Sequence, residues 1–247
     1  MPRFYFPGPL SPELSLNLTG SVAKHIQVLR LQPGEEIVLF NSVEDGRGVF
    51  NEYAATILAM SRSTVDVLIG ATICRPSNPV RSVHVAVGMP ANDRMDWLIE
   101  KVTELGVTSI QPLMTERSVL RLLGERSLKK GAHWQSIAIA ASEQSGGVRV
   151  PTIHPVMSLS SWLQIHSSNA NALNILLSLD VAALPFRRRL LERPSTVDVW
   201  CLSGPEGGLS HSEELLAAKS GFLAATLGSR ILRAETAAIA AVATAMI

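Results

Sequence analysis

Two short segments near the C-terminal end bring together residue types that can do chemistry. The first is Gly204-Pro205-Glu206-Gly207-Gly208-Leu209-Ser210. Its three glycines let backbone amides approach a ligand closely, its proline stiffens the turn, and its glutamate offers a carboxylate as proton acceptor. The second is Leu227-Gly228-Ser229-Arg230-Ile231-Leu232-Arg233-Ala234-Glu235-Thr236-Ala237, where two arginines, a glutamate and a threonine crowd between apolar flanks. Charge among apolar residues must be paired or put to use, and a guanidinium so placed can stabilise an anion that forms during a reaction. Each segment alone also has a purely structural reading: a tight strand-to-helix connection for the first, an internal Arg–Glu brace for the second.

Several other chemistries lack their residues. The G-x-G at Gly46-Arg47-Gly48 falls in an expected hairpin, without the third glycine and the following helix of a dinucleotide fingerprint. No phosphate-binding P-loop, H-E-x-x-H or G-x-S-x-G occurs. Histidines at 25, 84, 133, 154, 166 and 211 show no paired ligand spacing, so no metal is expected. The two cysteines, Cys74 and Cys201, supply neither a disulfide framework nor a zinc ligand set, and both read as core residues.

The elements that must position the two segments follow from periodicity. Residues 82–88, 108–113, 172–179, 197–203 and 222–227 are apolar runs of the kind found in buried parallel strands. Helical patterns lie between them. Met95, Leu98, Ile99, Val102 and Leu105 share one helix face, with Asn92 as the expected cap and Gly106 as terminator, and Trp134, Ile137, Ala138 and Ala141 share another. Ser210 and Glu213 form an S-x-x-E capping box, and 233–247 reads as an alanine-rich helix, apolar nearly all round and therefore buried. Alternating strands and helices predict an α/β domain whose parallel sheet is covered on both faces, with the two reactive segments leaving strand C-terminal ends, where such sheets bind ligands.

The first seventy residues read differently. Extended segments at 3–6, 14–18, 35–40, 49–60 and 63–73, with one helix from a Thr19 cap through His25 to Leu29, suggest a small β-barrel. We place the N-terminal domain at 1–74, a proline-rich linker at 75–81 and the second domain at 82–247. The 247 residues, 47% hydrophobic with a net charge of +1, exclude a disordered chain. The absence of a signal-peptide core and of any apolar run near the ~18 residues of a membrane span predicts a cytoplasmic protein. Charge is uneven: residues 1–72 sum to −2 and the remainder to +3. Arg117, Arg121, Arg126, Lys129, Lys130 and Arg149 face only Glu125 and Glu143 in the same stretch, which is either a solvated helix face or a footprint for a polyanion. At 5% aromatic residues, stacking on bases is a minor resource, so any such polyanion would be recognised through charge and shape.

Taken together, G-P-E-G-G followed about twenty residues later by L-G-x-R-I-L-R-x-E-T-A resembles the SPOUT superfamily of S-adenosylmethionine-dependent RNA methyltransferases. More narrowly, it resembles the RsmE family, which methylates N3 of a uridine in 16S ribosomal RNA of the small subunit. Met1-Pro2-Arg3-Phe4, His25-x-x-x-Leu29-Arg30, Glu104-Leu105-Gly106-Val107, Glu116-Arg117-Ser118, Trp134-Gln135-Ser136-Ile137-Ala138 and Glu143-Gln144-Ser145 agree with that family along nearly the whole chain. The resemblance implies a PUA-like RNA-binding barrel, a SPOUT domain with a trefoil knot, and a homodimer. It further implies a cofactor pocket of Leu177, Ser178, Gly204, Glu206, Gly207, Gly208, Leu227, Gly228, Ile231, Leu232, Arg233 and Thr236. Arg233, with Glu206 or Glu235 as proton acceptor, is the expected catalytic set. Expected RNA contacts are Arg3, His25, Arg30, Arg94, Arg117, Arg121, Lys129, Lys130 and Arg149, with Arg94 standing where family members usually carry a lysine nearby. The expected partner is ribosomal RNA in the small subunit, with no membrane and no metal. A SPOUT ribose 2′-O-methyltransferase and a non-catalytic RNA-binding assembly factor are the alternatives.

Overall fold

The computed structural model describes residues 1–44, 49–75, 81–166 and 171–246. The Gly46-Arg47-Gly48 turn, most of the expected linker and the side chain of Cys74 lie outside that description. The chain forms two compact units, one of Met1–Ser77 with Ser142–Val150, the other of Asn78–Ala141 with Pro151–Ile247. The first unit therefore takes in a nine-residue segment from far along the chain, inside the 82–247 range expected for the second domain.

In the first unit, β1 (Arg3–Tyr5), β2 (Ser15–Leu18), helix α1 (Gly20–Val28), β3 (Glu36–Glu44), β4 (Phe50–Met60) and β5 (Val65–Arg75) follow one another. Among the described residues the sheet order is β1-β3-β4-β5-β2, with β1 parallel to β3 and the other pairs antiparallel. The two end strands are not paired, so the expected barrel is a curled sheet with an open seam. Strand periodicity explains its core: Val65, Val67 and Ile69 point inward while Asp66, Leu68 and Gly70 point out. In β4 the inward phase changes from Phe50 and Glu52 to Ala55 and Ile57, at the place where its register with β5 shifts between Tyr53 and Ala55. Phe4, Leu18, Ile26, Ile37 and Leu39 complete the core.

The second unit runs β6 (Val83–Gly88), α2 (Asn92–Glu104), β7 (Ser109–Met114), α3 (Gly124–Ser145, whose last turn counts with the first unit), β8 (Thr152–Ile153), β9 (Met157–Ser158), α4 (Leu159–His166), β10 (Leu173–Leu177), β11 (Leu184–Pro185), α5 (Phe186–Leu191), β12 (Val199–Ser203), α6 (His211–Lys219), β13 (Leu223–Thr226) and α7 (Ala234–Met246). Among the described residues its sheet is entirely parallel, ordered β11-β13-β10-β12-β6-β7-β8, with β9 also on β7. All five residues of β12 are buried, which is why that strand reads as an unbroken apolar run. Its side chains alternate between two covered faces. Trp200 and Leu202 pack with Trp162, Leu163, Ala217 and Phe222 of the α4 and α6 side. Helix α7 covers the opposite face, on β6 and β12 and against α2.

Helix ends carry two lessons. The Ser210–Glu213 capping box forms in full, each side chain accepting from the other residue's backbone N–H. The cap position expected at Asn92 falls one residue earlier, on Ala91, which has no side-chain cap hydrogen bond. The backbone N–H of Ala91 donates instead to Glu206 Oε1, at 3.0 Å, so the Gly204–Ser210 segment itself caps α2.

The α4 side holds a pH-sensitive core. His166 is 7% exposed, stacks on Trp162 at 4.6 Å and bonds Asn174 through Nε2 at 2.8 Å. Burial lowers the pKa of His166 and of His154 below the usual histidine value, against a smaller opposing pull from Asn174 on His166. Above about pH 6.5 both imidazoles are neutral folded or unfolded; below it the unfolded chain takes up protons that the folded chain resists. Stability should therefore fall as pH drops from about 6.5 through the lowered folded values. Thermal melts at pH 7.5 and 5.5 should show the lower midpoint at pH 5.5, with a smaller gap in His166→Gln. Equal midpoints in the wild type would refute this.

Candidate active site

Three loops leave neighbouring strands β10, β12 and β13 on one side of the sheet and enclose a cavity of about 330 Å³. That volume lies within the ~300–1,000 Å³ of small-molecule clefts. Its wall brings together Leu177, Ser178, Gly204, Glu206, Gly208, Leu227, Gly228, Ile231, Leu232 and Arg233, ten of the residues expected there. Arg94, expected on RNA, lines it too, as does Arg230. Gly207 and Thr236 are not among the lining residues, and Glu235 is buried outside it.

Glycine is required for steric reasons at two positions. A Cβ on Gly204 would lie 2.6 Å from both the Gly208 carbonyl carbon and the Leu209 nitrogen, so this loop closes on itself only without a side chain. Gly208 has φ +69°, a left-handed conformation that side chains disfavour. A Cβ on Gly207 would meet only the Arg117 side chain, at 3.3 Å.

The charged groups fall into distinct roles. Arg230 and Arg233 are exposed at the cavity, and among the described residues neither forms an ion pair. Glu206 is tethered: its Oε1 accepts from Ala91 N–H and from Arg94 Nη1 at 3.2 Å. Arg94 is thus committed to the carboxylate at the cavity rim. Glu235 is 6% exposed in the first turn of α7, and its Oε2 has no hydrogen-bond partner. The positive end of the helix dipole favours a carboxylate there, and Glu235 lies beside the lining residues Ala234 and Ala237 without lining the cavity itself. Ser203 escaped the sequence reading because it ends an apolar strand. It is 4% exposed and lines the cavity, and among the described residues its Oγ is buried without a hydrogen-bond partner.

The expected RNA contacts divide between the two units. All five N–H positions of Arg3 are spent internally: Nε and Nη2 on Glu52 Oε1, Nη1 on the carbonyls of Ser142 and Glu143, and Nη2 also on Gly147 O at 3.0 Å. No donor remains for a phosphate, so Arg3 is a structural clamp. His25 pairs with Glu143 through Nδ1 and Oε2 at 3.3 Å and packs edge-on against Phe4. The guanidinium of Arg149 lies 5.8 Å from the Phe50 ring centre. Arg30 is exposed, with φ +57°. In the second unit, the exposed Arg117 and Arg121 donate to backbone carbonyls, Gly207 and Leu209 for the first and Glu116 for the second. Lys129 makes a loose, exposed pair with Glu125 at 3.8 Å, and Lys130 is half-buried on the same helix. Among the described residues no group of three potential metal ligands occurs, and no helix is long and apolar enough to cross a membrane.

Comparison with known proteins agrees with this geometry. Residues 76–246 match the RNA methyltransferase domain and residues 18–70 match the RNA methyltransferase PUA domain. Ribosomal RNA small subunit methyltransferase E of Bacillus subtilis is 30% identical over 236 residues, covering 90% of this chain and 86% of that protein. The crystal structure of the Neisseria gonorrhoeae protein of that name, bound to S-adenosyl methionine, is 33% identical with a TM-score of 0.86, covering 98% of this chain and 95% of that one. A Legionella pneumophila protein described as a methyltransferase, solved with bound SAM, is 32% identical with a TM-score of 0.87, covering 98% and 96%. With a parallel sheet, a strand-end cavity and likeness along the whole chain in agreement, this chain belongs to the RNA methyltransferase family, among the ribosomal RNA small subunit methyltransferases E.

Proposed function

We propose that the protein transfers the methyl group of S-adenosylmethionine to N3 of a uridine in 16S ribosomal RNA of the small subunit, acting in the cytoplasm as a homodimer with knotted threading. The observation that carries this reading is the convergence of the three loops on one cavity. The cavity suits the cofactor: Leu177, Leu227, Ile231 and Leu232 offer apolar surface to a flat base, and the close turn at Gly204 presents backbone. S-adenosylmethionine supplies an electrophilic methyl group on a sulfonium.

The chain's own residues do the rest. Arg233 and Arg230 offset the negative charge that spreads over the uracil carbonyls as N3 loses its proton. Glu206 keeps Oε2 outside its two tethering bonds, and that oxygen accepts the proton. Methylation at carbon C5 would instead need a thiolate. Burial pushes the Cys201 thiol up to about 12, which keeps it protonated and favours a nitrogen or oxygen target.

The test is to incubate small-subunit ribosomal RNA with the protein and labelled S-adenosylmethionine, digest to nucleosides, and separate the products. The label should run with 3-methyluridine. Label in 2′-O-methyluridine would transfer the assignment to ribose chemistry, and no label under conditions of measured cofactor binding would favour the assembly-factor reading. Light scattering at micromolar concentration should report a dimer.

A further inference from the structure

We infer that Arg117 is a positioning residue that fastens the back of the Gly204–Leu209 loop in its ligand-accepting form, and that it does not contact RNA phosphate. The inference rests on the cofactor reading above. Arg117 follows β7 in a turn whose end residues are buried: Thr115 N–H donates to Ser118 Oγ at 3.1 Å and Ser118 N–H donates to Thr115 O at 3.2 Å. That turn fixes where the arginine points. Its Nη1 donates to Gly207 O at 2.7 Å and to Leu209 O at 3.2 Å, and its aliphatic stem lies against Gly207. One guanidinium nitrogen thus bridges two carbonyls on either side of Gly208, the residue whose left-handed backbone shapes the loop.

A second tie runs beside it. Glu213, 8% exposed, accepts from Glu116 N–H and from Ser210 N–H, both at 2.9 Å. The β7 exit therefore grips the loop at Arg117 and at the neighbouring Glu116, while Glu206 ties the loop's other side to the start of α2. A loop held from both sides has little ordering entropy left to lose when a ligand arrives, and such preorganisation appears as affinity.

Arg117→Met keeps the stem and removes the donors; Arg117→Lys keeps one charged donor. In the cofactor-free protein, amides of 204–210 should exchange faster in Arg117→Met than in the wild type. S-adenosylmethionine should bind roughly 10- to 100-fold more weakly to Arg117→Met by calorimetry, with Arg117→Lys in between, and KM for the cofactor should rise far more than kcat falls. The salt dependence of RNA binding should keep its slope in both variants. Wild-type exchange and affinity in Arg117→Met would overturn the inference. So would a slope lowered by about one unit with cofactor affinity intact, the signature of a phosphate contact. Failure of the wild type to bind S-adenosylmethionine would count against the cofactor reading alone, since the exchange comparison tests Arg117 without it.

Discussion

Gly204→Ala should abolish cofactor binding and methyl transfer while leaving the protein folded. The added Cβ would stand 2.6 Å from two backbone atoms and 2.9 Å from Gly208 Cα, none of which can move without reopening the loop. Overpacking in well-packed surroundings costs about 1–3 kcal/mol even where side chains can yield, and here only backbone is available to yield. A loss of more than 100-fold in affinity, equivalent to about 2.7 kcal/mol, is the expected minimum. Gly207→Ala should be milder, since its Cβ would stand 3.3 Å from the Cβ and Cδ of Arg117 and not 2.6 Å from backbone. Gly131→Ala on α3, with open space around its Cβ, serves as the control. Calorimetry with S-adenosylmethionine across the three variants checks this; near-native affinity in Gly204→Ala would mean that the loop is not part of the cofactor site.

Arg233→Ala should cut the rate of methyl transfer by on the order of 10²-fold or more at saturating RNA and cofactor, because the charge it opposes exists mainly in the transition state. Arg233 is exposed and has no ion-pair partner among the described residues, so the melting temperature and RNA affinity should change little. Lys130→Ala should do the reverse, raising KM for RNA and reducing the salt slope by about one unit while sparing the chemical step. Single-turnover assays separate these outcomes. Normal turnover in Arg233→Ala would remove it from the catalytic role.

Much of the fold was legible because the second unit is a parallel sheet. Strands covered on both faces must be apolar throughout, and β12 and β10 announce themselves that way. The cavity was legible because its loops concentrate glycine and arginine between such runs. The fate of individual charges was not. Arg3 reads as a free cation near the N-terminus, yet its carbonyl acceptors lie 139 to 144 residues further along the chain. Arg117 and Arg121 count toward a basic cluster in sequence, and in space each spends a donor nitrogen on backbone carbonyls. Local pattern records the type of a side chain, whereas its partner is set by tertiary packing. Ser203 was missed for the converse reason: a lone hydroxyl ending an apolar strand carries no periodic signal.

The Arg3 clamp also bears on the order in which the nascent chain can mature. The first unit needs Ser142–Val150, and those residues are synthesised about sixty-five residues after Ser77. At ~5–20 residues per second, translation spends several seconds making the intervening stretch. Throughout that interval Arg3 lacks its three carbonyl acceptors and His25 lacks Glu143. The first unit thus cannot close on its opening seventy-seven residues alone, yet it is complete at Val150, when six of the eight described strands of the second unit's sheet are still to be made.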